Sequence, residues 1–512
     1  MTARKSLLLF VVSMFGSVLG FLSTVVIARW MGPEALGTIG YLLGLLGLLS
    51  IVLDLGFAQA HLTRVAASDK DPAPLIGTLL LIKGLLCVPF LFLVVILPWL
   101  KPDLGQALIH HHQARQAYYI LALFYAVHSI ANVLLHTFEG RLETAKETIP
   151  DVGGSLLSFV AKAAVAFLGL GTVALSGAYL VEPVVRLLLG GVLFRGYSIG
   201  RATREHLTSY VRYAVPLMLN SAVSMVVTNL NPVVIGVFWS AADVGYYTAV
   251  LGFSLVIDRV ASAVAVPFLP RVSGDVARGS WEEMRNRTYV AERYLLLVLA
   301  PVATLLLFFS REIVELTLGA GFGPSAAILV ALILSSVAAA AFIPYRMVLY
   351  AVERQRDLVV SSCVGLVILV LADALLIPVQ LGSLPLPGLR GLGAALGMLL
   401  MNLGSGLVQF GAARRCAGIA FYKRSSLILL AAAAMYLTMG TVRALVPAAL
   451  VLRVLLCSLV GAMSYLATLV LMREFTRADA QVFLNILHPQ QMFDYVSEEL
   501  GSNRPGSKGD DS

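Results

Sequence analysis

Isolated charged residues inside long apolar stretches are the best candidates for chemistry in this 512-residue chain. Lys83 and Lys162 have no acidic residue close to them in the sequence, and Arg186 and Arg259 lie in two other apolar stretches. A charged side chain at the centre of a lipid bilayer costs at least ~2.5 kcal/mol, so it needs a partner or a water-filled cavity. We therefore predict a cationic cavity at Lys83 and Lys162, with Arg186 and Arg259 as further candidates.

Acidic residues in the same apolar stretches offer a second explanation for these cations. There are four of them: Asp54, Glu182, Asp258 and Asp373. Glu182 and Arg186 are four residues apart and share one helix face, so mutual neutralisation explains them as well as a functional role does. Asp258 and Arg259 are adjacent, so at most one of the two faces a central cleft. For Lys83 and Lys162, the alternative to a cationic cavity is an ion pair between helices, with Asp54 or Asp258.

The apolar stretches that must position these residues indicate an integral membrane protein. The chain is 59% hydrophobic and only 13% charged, whereas soluble domains carry roughly 25% charged residues. About fourteen stretches are long enough to cross ~30 Å of hydrocarbon, and the first two are residues 6–28 and 36–60. Lipid cannot hydrogen-bond the backbone, so these stretches are predicted to be helices. The predicted fold is therefore all-α.

The basic residues are distributed as in a membrane protein. Most of the 37 Lys and Arg residues fall in loops on one side of the predicted spans, which places both termini in the cytoplasm of a cell-membrane protein. The net charge of +8 forms no patch with interleaved aromatic residues, so no nucleic-acid partner is expected. The four cysteines are far apart and lack the spacing of metal ligands. We expect no metal site, no cofactor and no catalytic residue.

One sequence pattern occurs twice. The copy at Ile27–Arg64 returns about 208 residues later at Ile235–Arg271, and an even number of predicted spans separates the copies, so both have the same orientation in the bilayer. Two pseudo-symmetric six-helix lobes that meet along a cleft suit alternating access. The predicted domains are an N-terminal lobe at 1–200, a C-terminal lobe at 201–415, two additional transmembrane helices at 416–472, and a cytoplasmic amphipathic helix with a disordered tail at 473–512.

Several motifs resemble one family. ARWMGPEALG, followed by an apolar run and DLGFAQAHLTR, is similar to the opening of Wzx-type polysaccharide flippases of the multidrug/oligosaccharidyl-lipid/polysaccharide (MOP) exporter superfamily. YVRYAVPLMLNSAVSMVVTNLNPVVIGVFWSAADVGYY resembles the start of their second lobe. The resemblance implies a MATE-like fold that moves a polyprenyl-(pyro)phosphate-linked oligosaccharide from the cytoplasmic to the outer leaflet. It also implies contact with membrane lipid and with glycan-assembly enzymes.

In this interpretation the phosphate head group needs cations. Lys83, Lys162, Arg186 and Arg259 are the predicted contacts, and Arg29 and Arg64 are weaker ones near the membrane faces.

Two positions depart from the family pattern. Relatives often have Asp in the seventh span, where this chain has Asn231, and often have Asn in the eleventh, where it has Asp373. With Asp54 and Asp258, these residues are weaker site candidates. Coupling to an ion gradient and the identity of the ion are both left open, and Asn231 weakens the case for a coupling acid in the seventh span. The last two spans are similar to those of the lipid II flippase branch, so that substrate also remains open.

Two other functions compete with a flippase. A multidrug or cation antiporter of the same superfamily would use a membrane carboxylate and an aromatic pocket, whereas the first-lobe spans here are basic. A membrane polysaccharide polymerase would need paired carboxylates in a sizeable loop, and the predicted outer loops are short. We therefore expect a transporter rather than an enzyme.

Overall fold

The computed structural model describes most of the chain. The described residues are 2–68, 72–100, 112–446, 450–476, 479 and 481. Most of the predicted amphipathic helix and tail lies outside them. The start of that segment is described: the side chain of Asp479 accepts hydrogen bonds from the backbone N–H of Thr476 (2.8 Å) and from its hydroxyl (2.7 Å). The helix cap that the spacing of these two residues predicts is therefore present.

The described chain is almost entirely helical. The first part contains α1 (Thr2–Leu49), α2 (Ile51–Asp54), α3 (Phe57–Ala66), α4 (Ala73–Leu91), α5 (His112–Gly140), α6 (Thr144–Phe167) and α7 (Gly171–Leu193). A π-helical turn (Phe92–Ile96) and a short α-helical turn (Leu97–Leu100) extend α4. A 3-10 turn at Phe194–Gly196 follows α7.

The second part repeats this organisation. It contains α8 (Arg204–Phe238), α9 (Ala241–Ala277), α10 (Trp281–Phe308), α11 (Ser310–Thr317), α12 (Ser325–Ala341), α13 (Ile343–Ala351), α14 (Gln355–Leu376) and α15 (Arg390–Ala417), and then α16 (Ser425–Leu445) and α17 (Leu450–Leu471). A 3-10 turn (Ala320–Phe322) follows α11, and strands β1 (Gln380–Leu381) and β2 (Leu384–Pro385) pair antiparallel between α14 and α15.

Helix boundaries follow local sequence signals. The hydroxyl of Thr203 accepts a hydrogen bond from the N–H of His206 (3.2 Å) at the start of α8. Ser240 and Asp243 form a reciprocal capping box at the start of α9. Both caps satisfy backbone N–H groups that a first helical turn leaves free. Gly418, with φ of 66°, ends α15 in the left-handed conformation that glycine adopts without steric cost.

The number of spans agrees with the prediction once α1 is divided. Thirteen described helices are long and apolar enough to cross a membrane, and the first of these stretches, Val11–Leu49, has 39 residues. At 1.5 Å per residue it is about 58 Å long, roughly twice the hydrocarbon thickness. Gly32 interrupts it with φ of 78° and ψ of 179°, and Pro33 follows. The predicted all-α membrane fold with about fourteen spans is confirmed, but a break at Gly32 replaces the expected loop between the first two spans.

The second predicted span also contains a break. α2 ends at Asp54, Leu55 has φ of 46°, Gly56 has φ of 81°, and α3 begins at Phe57. A positive φ is unfavourable for leucine, so the surrounding contacts must hold this turn in place.

Glycines bring the two repeat copies into direct backbone contact. A Cβ atom added to Gly37 in α1 would overlap the carbonyl oxygen of Ala241 in α9. A Cβ atom added to Gly245 would likewise overlap the carbonyl of Pro33. Gly37 and Gly245 are equivalent positions in the two copies, so each copy presents its small residue to the other. Close helix contact through small residues is a common source of stability inside membranes.

The chain divides into two compact units by its internal contacts. One is residues 18–423, which contains both repeat copies, and the other is residues 1–17 with 424–512. Within the second unit, Cys457 Sγ lies 3.7 Å from the carbonyl oxygen of Met439, and Arg424 pairs with the buried Glu474 at 3.0 Å. The domain boundaries proposed from the sequence stay a prediction.

Replacing Gly37 with alanine should destabilise the contact between α1 and α9. The added methyl group overlaps a backbone carbonyl that cannot move independently, so we expect a loss of about 1–3 kcal/mol. Thermal unfolding of the purified protein in lipid nanodiscs measures this loss. Gly20→Ala is the matched control, because a Cβ atom at Gly20 meets nothing within 4 Å. Equal unfolding temperatures for both variants would contradict the close contact.

Candidate functional site

A cavity of about 250 Å³ lies between α2 and α8, beside the α2–α3 break. One wall comes from α2 and its end, and the other comes from α8. Its lining residues include Ile51, Asp54, Leu55, Ser221, Met225 and Thr228. A carboxylate and hydroxyl groups thus face a space within membrane-spanning helices, where polar side chains mark substrate or ion pathways. Sequence reasoning missed the α8 hydroxyl residues, which are too ordinary in type to stand out without their neighbours.

Lys83 is paired with Asp54 at the wall of this cavity. The Lys83 ammonium lies 2.7 Å from Asp54 Oδ1 and donates a second hydrogen bond to the carbonyl of Leu53 at 2.8 Å. The lysine side chain is 6% exposed and the aspartate side chain 36%. Of the two explanations left open by the sequence for Lys83, a cationic cavity or an ion pair between helices, the structure has the ion pair, with Asp54 as the partner. The physical reason is the high cost of an uncompensated ammonium in hydrocarbon.

The same ion pair stabilises the break between α2 and α3. Asp54 Oδ1 also accepts the N–H of Ala58 at 3.2 Å, near the start of α3. Lys83 satisfies the carbonyl of Leu53 in the last turn of α2. One cation from α4 therefore neutralises the carboxylate and binds backbone that the helix break leaves free. The ion pair therefore holds the left-handed turn at Leu55 in place and lies at the wall of the central cavity.

Lys162 lies in α6 and has a different environment. It is 8% exposed, and its ammonium is 3.9 Å from the centre of the Tyr179 ring in α7. A desolvated cation over a tyrosine ring gains electrostatic stabilisation from the ring face. Among the described residues, no carboxylate lies within salt-bridge distance of Lys162, and the Glu182 carboxylate is its electrostatic neighbour. The side chain lies outside the wall of the central cavity, and its proposed contact with a substrate stays a prediction.

The charge of Arg186 is neutralised by carboxylates on α6 and α7. Its guanidinium lies 3.3 Å from Glu182 on the same helix and 3.1 Å from Asp151 in α6. Mutual neutralisation of Glu182 and Arg186, one of the two explanations left open by the sequence, is what the structure has. Asp151 was missed because it lies at the very edge of the apolar stretch that becomes α6. Three charges on two helices therefore form one partly buried group.

Asp258 and Arg259 lie on α9, away from the central cavity wall. Both side chains are exposed in the protein alone, and Arg346 and Arg259 are the electrostatic neighbours of Asp258. The structure does not bring Arg259 together with Lys83 at one cavity. Its role in substrate binding stays a prediction.

A separate buried acidic site involves helices α14 and α15. Asp373 in α14 is 1% exposed, and neither of its carboxylate oxygens has a hydrogen-bond partner among the described residues. Asn231 in α8 donates to the Tyr247 hydroxyl at 2.7 Å and to the Ala394 carbonyl at 3.4 Å, while its own Oδ1 lacks a partner in the same part of the chain. Gly397 leaves room for the carboxylate, since an added Cβ would lie 2.5 Å from Asp373 Oδ1. Unsatisfied buried oxygens are costly, and a proton or a metal cation would relieve that cost.

The two weaker basic candidates, Arg29 and Arg64, contact helices that lie outside the first repeat copy. The exposed Arg29 donates to the carbonyls of Thr317, at 2.7 Å, and of Leu316, both at the end of α11. The guanidinium carbon of Arg64 lies 5.5 Å from the centre of the Tyr213 ring in α8. Neither residue lines the central cavity. Each contacts a helix of the second predicted lobe.

The sequence itself identifies the family. The profile of a family described as "Polysaccharide biosynthesis protein" matches residues 26–327, which is more than half of the chain. The chain belongs to this family. The matched region contains α2, α4 and α8, and therefore the central cavity with its Lys83–Asp54 pair.

Individual relatives agree with this family. The chain is 23% identical over 337 residues to the "Probable low-salt glycan biosynthesis flippase Agl15" of Haloferax volcanii, covering 64% of this chain and 68% of that protein. Its fold matches the lipid II flippase MurJ in an inward closed conformation with a TM-score of 0.70, at 16% identity over 94% of this chain and 99% of that chain. It also matches an inward-facing MATE family transporter of the MOP superfamily with a TM-score of 0.59, at 16% identity over 79% of this chain and 94% of that chain. The predicted resemblance to polysaccharide flippases is confirmed by the family profile and the flippase relative, and the predicted MATE-like fold by the structural match.

The Lys83–Asp54 pair should show strong coupling in a double-mutant cycle. Asp54→Leu leaves a buried ammonium unpaired, so we expect a loss of about 3 kcal/mol, whereas Lys83→Met leaves a half-exposed carboxylate and costs less. The double variant should be more stable than Asp54→Leu, because it leaves no unpaired charge. Thermal unfolding in nanodiscs provides the measurement. Arg311→Gln, which removes an exposed pair with Glu315, is the control and should cause no measurable change in the unfolding temperature. Strictly additive losses of stability for the Lys83 and Asp54 variants would show that the pair is not coupled.

Proposed function

We propose that this protein is a flippase that moves polyprenyl-(pyro)phosphate-linked oligosaccharide from the cytoplasmic to the outer leaflet of the cell membrane. The observation that carries the proposal is the central cavity, where the Asp54 carboxylate and hydroxyl groups of α8 lie among mostly apolar lining residues, between α2 of the first predicted lobe and α8 of the second. Family membership and the flippase relative support the same conclusion. The orientation with both termini in the cytoplasm, taken from the distribution of basic residues, is part of the proposal.

The chemistry of such a substrate requires a divided path. Its sugars and phosphates need water or polar side chains, because burying them in hydrocarbon without hydrogen bonds is prohibitively costly. Its polyprenyl tail is apolar and can remain in the bilayer. A cavity that opens toward one leaflet and then the other, as two lobes rock, satisfies both needs. The breaks at Gly32 and at Leu55 lie in the helices that would move.

Lys83 is the proposed phosphate contact nearest to this path. In the present conformation Asp54 occupies it, so an incoming phosphate competes with that carboxylate for the ammonium. Lys162, Arg186 and Arg259 remain proposed contacts further along the substrate path. The substrate is a lipid-linked glycan and no bond is broken, so the protein acts as a transporter, with glycan-assembly enzymes as its proposed partners.

Loss of Lys83 or Lys162 should impair transport without preventing insertion. Cells that lack the protein are expected to accumulate lipid-linked oligosaccharide in the inner leaflet, and Lys83→Ala and Lys162→Ala should each restore outer-leaflet delivery only partly. Leaflet-resolved labelling of the oligosaccharide measures this, with protein levels in the membrane followed in parallel. Arg311→Gln, a cation removed from an exposed helix, is the control and should restore delivery fully. Full rescue by both lysine variants would exclude a role for these cations.

We also propose that Asp373 couples transport to an ion gradient. The support is the buried Asp373 carboxylate, whose two oxygens have no hydrogen-bond partner among the described residues, as is also true of Asn231 Oδ1. Tyr247 connects the two residues, since it hydrogen-bonds to Asn231 and interacts electrostatically with Asp373. Carboxylate and amide oxygens suit a proton or a hard metal cation, so the ion is left open. The antiporter alternative would use the same acid but would export drugs.

Asp373→Asn should abolish the dependence of transport on the driving ion, because an amide neither binds a proton at neutral pH nor neutralises a cation. Reconstituted vesicles with an imposed proton or sodium gradient provide the measurement. Asp357→Asn, at the other end of the same helix, is the matched control and should keep the dependence. Unchanged gradient dependence in Asp373→Asn would place coupling elsewhere.

A further inference from the structure

A second cavity lies at the end of the first predicted lobe that the sequence places in the cytoplasm. It has a volume of about 650 Å³ and is lined by Pro72 before α4, by the connection between α5 and α6 with the first turn of α6, and by the residues that follow α7. Its lining residues include Pro72, Arg141, Glu143, Lys146, Tyr197 and Ser198. Pockets of roughly 300–1,000 Å³ are the usual size for small-molecule sites. Residues of this cavity take no part in the central cavity.

Aromatic rings hold the lysine of this pocket in position. The rings of Phe194 and Tyr197 stack with their centres 4.9 Å apart. The Lys146 ammonium lies 5.4 Å from the centre of the Tyr197 ring and 5.9 Å from that of Phe138. Cation–π contacts from two rings restrict the lysine before any ligand arrives.

Hydrogen bonds position the remaining polar groups. Lys146 pairs with Glu143 at 2.9 Å, and Arg141 donates to the carbonyl of Ser68 at 3.2 Å. Burial, together with a hydrogen bond to Glu143, raises the pKa of Tyr197 to about 12. The phenol therefore keeps its proton at neutral pH and donates it to the Glu143 carboxylate. Three segments that are distant in sequence are linked in this way.

The described lining residues of this pocket have more positive charge and more donors than they use among themselves. They include two cations, Arg141 and Lys146, and one carboxylate, Glu143. An ammonium has three N–H donors and a guanidinium five, so several remain for a ligand. The Lys146 and Glu143 side chains are 39% and 34% exposed, which leaves them accessible to solvent. An acceptor-rich anion is the complementary ligand, and phosphate accepts several charge-assisted hydrogen bonds at once.

We propose that this pocket binds a phosphate group, carried either by the head group of an anionic phospholipid or by a soluble phosphate ester. Basic pockets between transmembrane helices on the cytoplasmic side commonly hold anionic lipid head groups. Ser198 belongs to the segment that connects the two predicted lobes, and Gly200 of that segment donates to the carbonyl of Ala73 at 2.9 Å. A bound phosphate therefore contacts the connection between the lobes.

Native mass spectrometry of the full-length protein tests this site. The purified protein is titrated with phosphatidylglycerol, with phosphatidylcholine and with glycerol 3-phosphate. We expect phosphatidylglycerol to bind, and the Arg141→Gln/Lys146→Gln variant to bind it at least about tenfold more weakly, since each lost charge-assisted bond costs about that factor. Arg195→Gln, an exposed cation next to the pocket that does not line it, is the matched control and should bind like the wild type.

Glu143→Gln separates a binding role from a structural one. This change removes the carboxylate that competes for Lys146, so phosphatidylglycerol should bind more tightly, whereas loss of a purely structural ion pair would leave binding unchanged. Competition by glycerol 3-phosphate with the same dependence on Arg141 and Lys146 identifies a soluble ester as the ligand. Binding of the lipid alone identifies a head group. Equal phosphatidylglycerol binding by the wild type, the double variant and Glu143→Gln would overturn the proposal.

Discussion

The ammonium of Lys83 lies against the Asp54 carboxylate inside a helical membrane protein, and the break between α2 and α3 depends on that contact. Each charge alone would be too costly to bury, and together they satisfy the backbone at the α2–α3 break and form one wall of the central cavity. The half-exposed carboxylate gives the cavity a charged group. The proposed mechanism has a phosphate of the substrate replace this internal anion at Lys83. The same ion pair therefore stabilises the helix break and supplies the charged group of the cavity.

Compensation of charge takes a different form at each of the other sites. Arg186 is shared by two carboxylates, and Lys162 is covered by a tyrosine ring. Asp373 has neither kind of compensation among the described residues. This contrast separates groups that the fold neutralises from the one that an external ion would neutralise. It also distinguishes the second predicted lobe, which contains the unsatisfied Asp373, from the first, where Lys83, Lys162 and Arg186 have partners.

Glycine and left-handed turns determine where the helices bend and touch. Gly32 divides the longest helix, and Gly37 and Gly245 allow backbones of the two copies to meet. The left-handed turn at Leu55 is unusual for a leucine, and it lies directly beside the cavity. Rigid contact through glycines and a strained turn at the cavity wall suit a molecule in which two lobes move as bodies about local breaks.

Sequence alone determined the membrane class, the number of spans, the repeat and the family, because hydropathy, charge distribution and ordered motifs are carried by residues close together in the chain. It also identified Lys83, Asp54 and Asp373 as charges that need an explanation. Tertiary structure decided which explanation holds: Lys83 and Asp54 are 29 residues apart, and only the packing of α4 against the α2–α3 break brings them together. The α8 side of the cavity and the pocket around Lys146 were likewise decided by packing, since their polar residues are unremarkable until distant segments fold against one another.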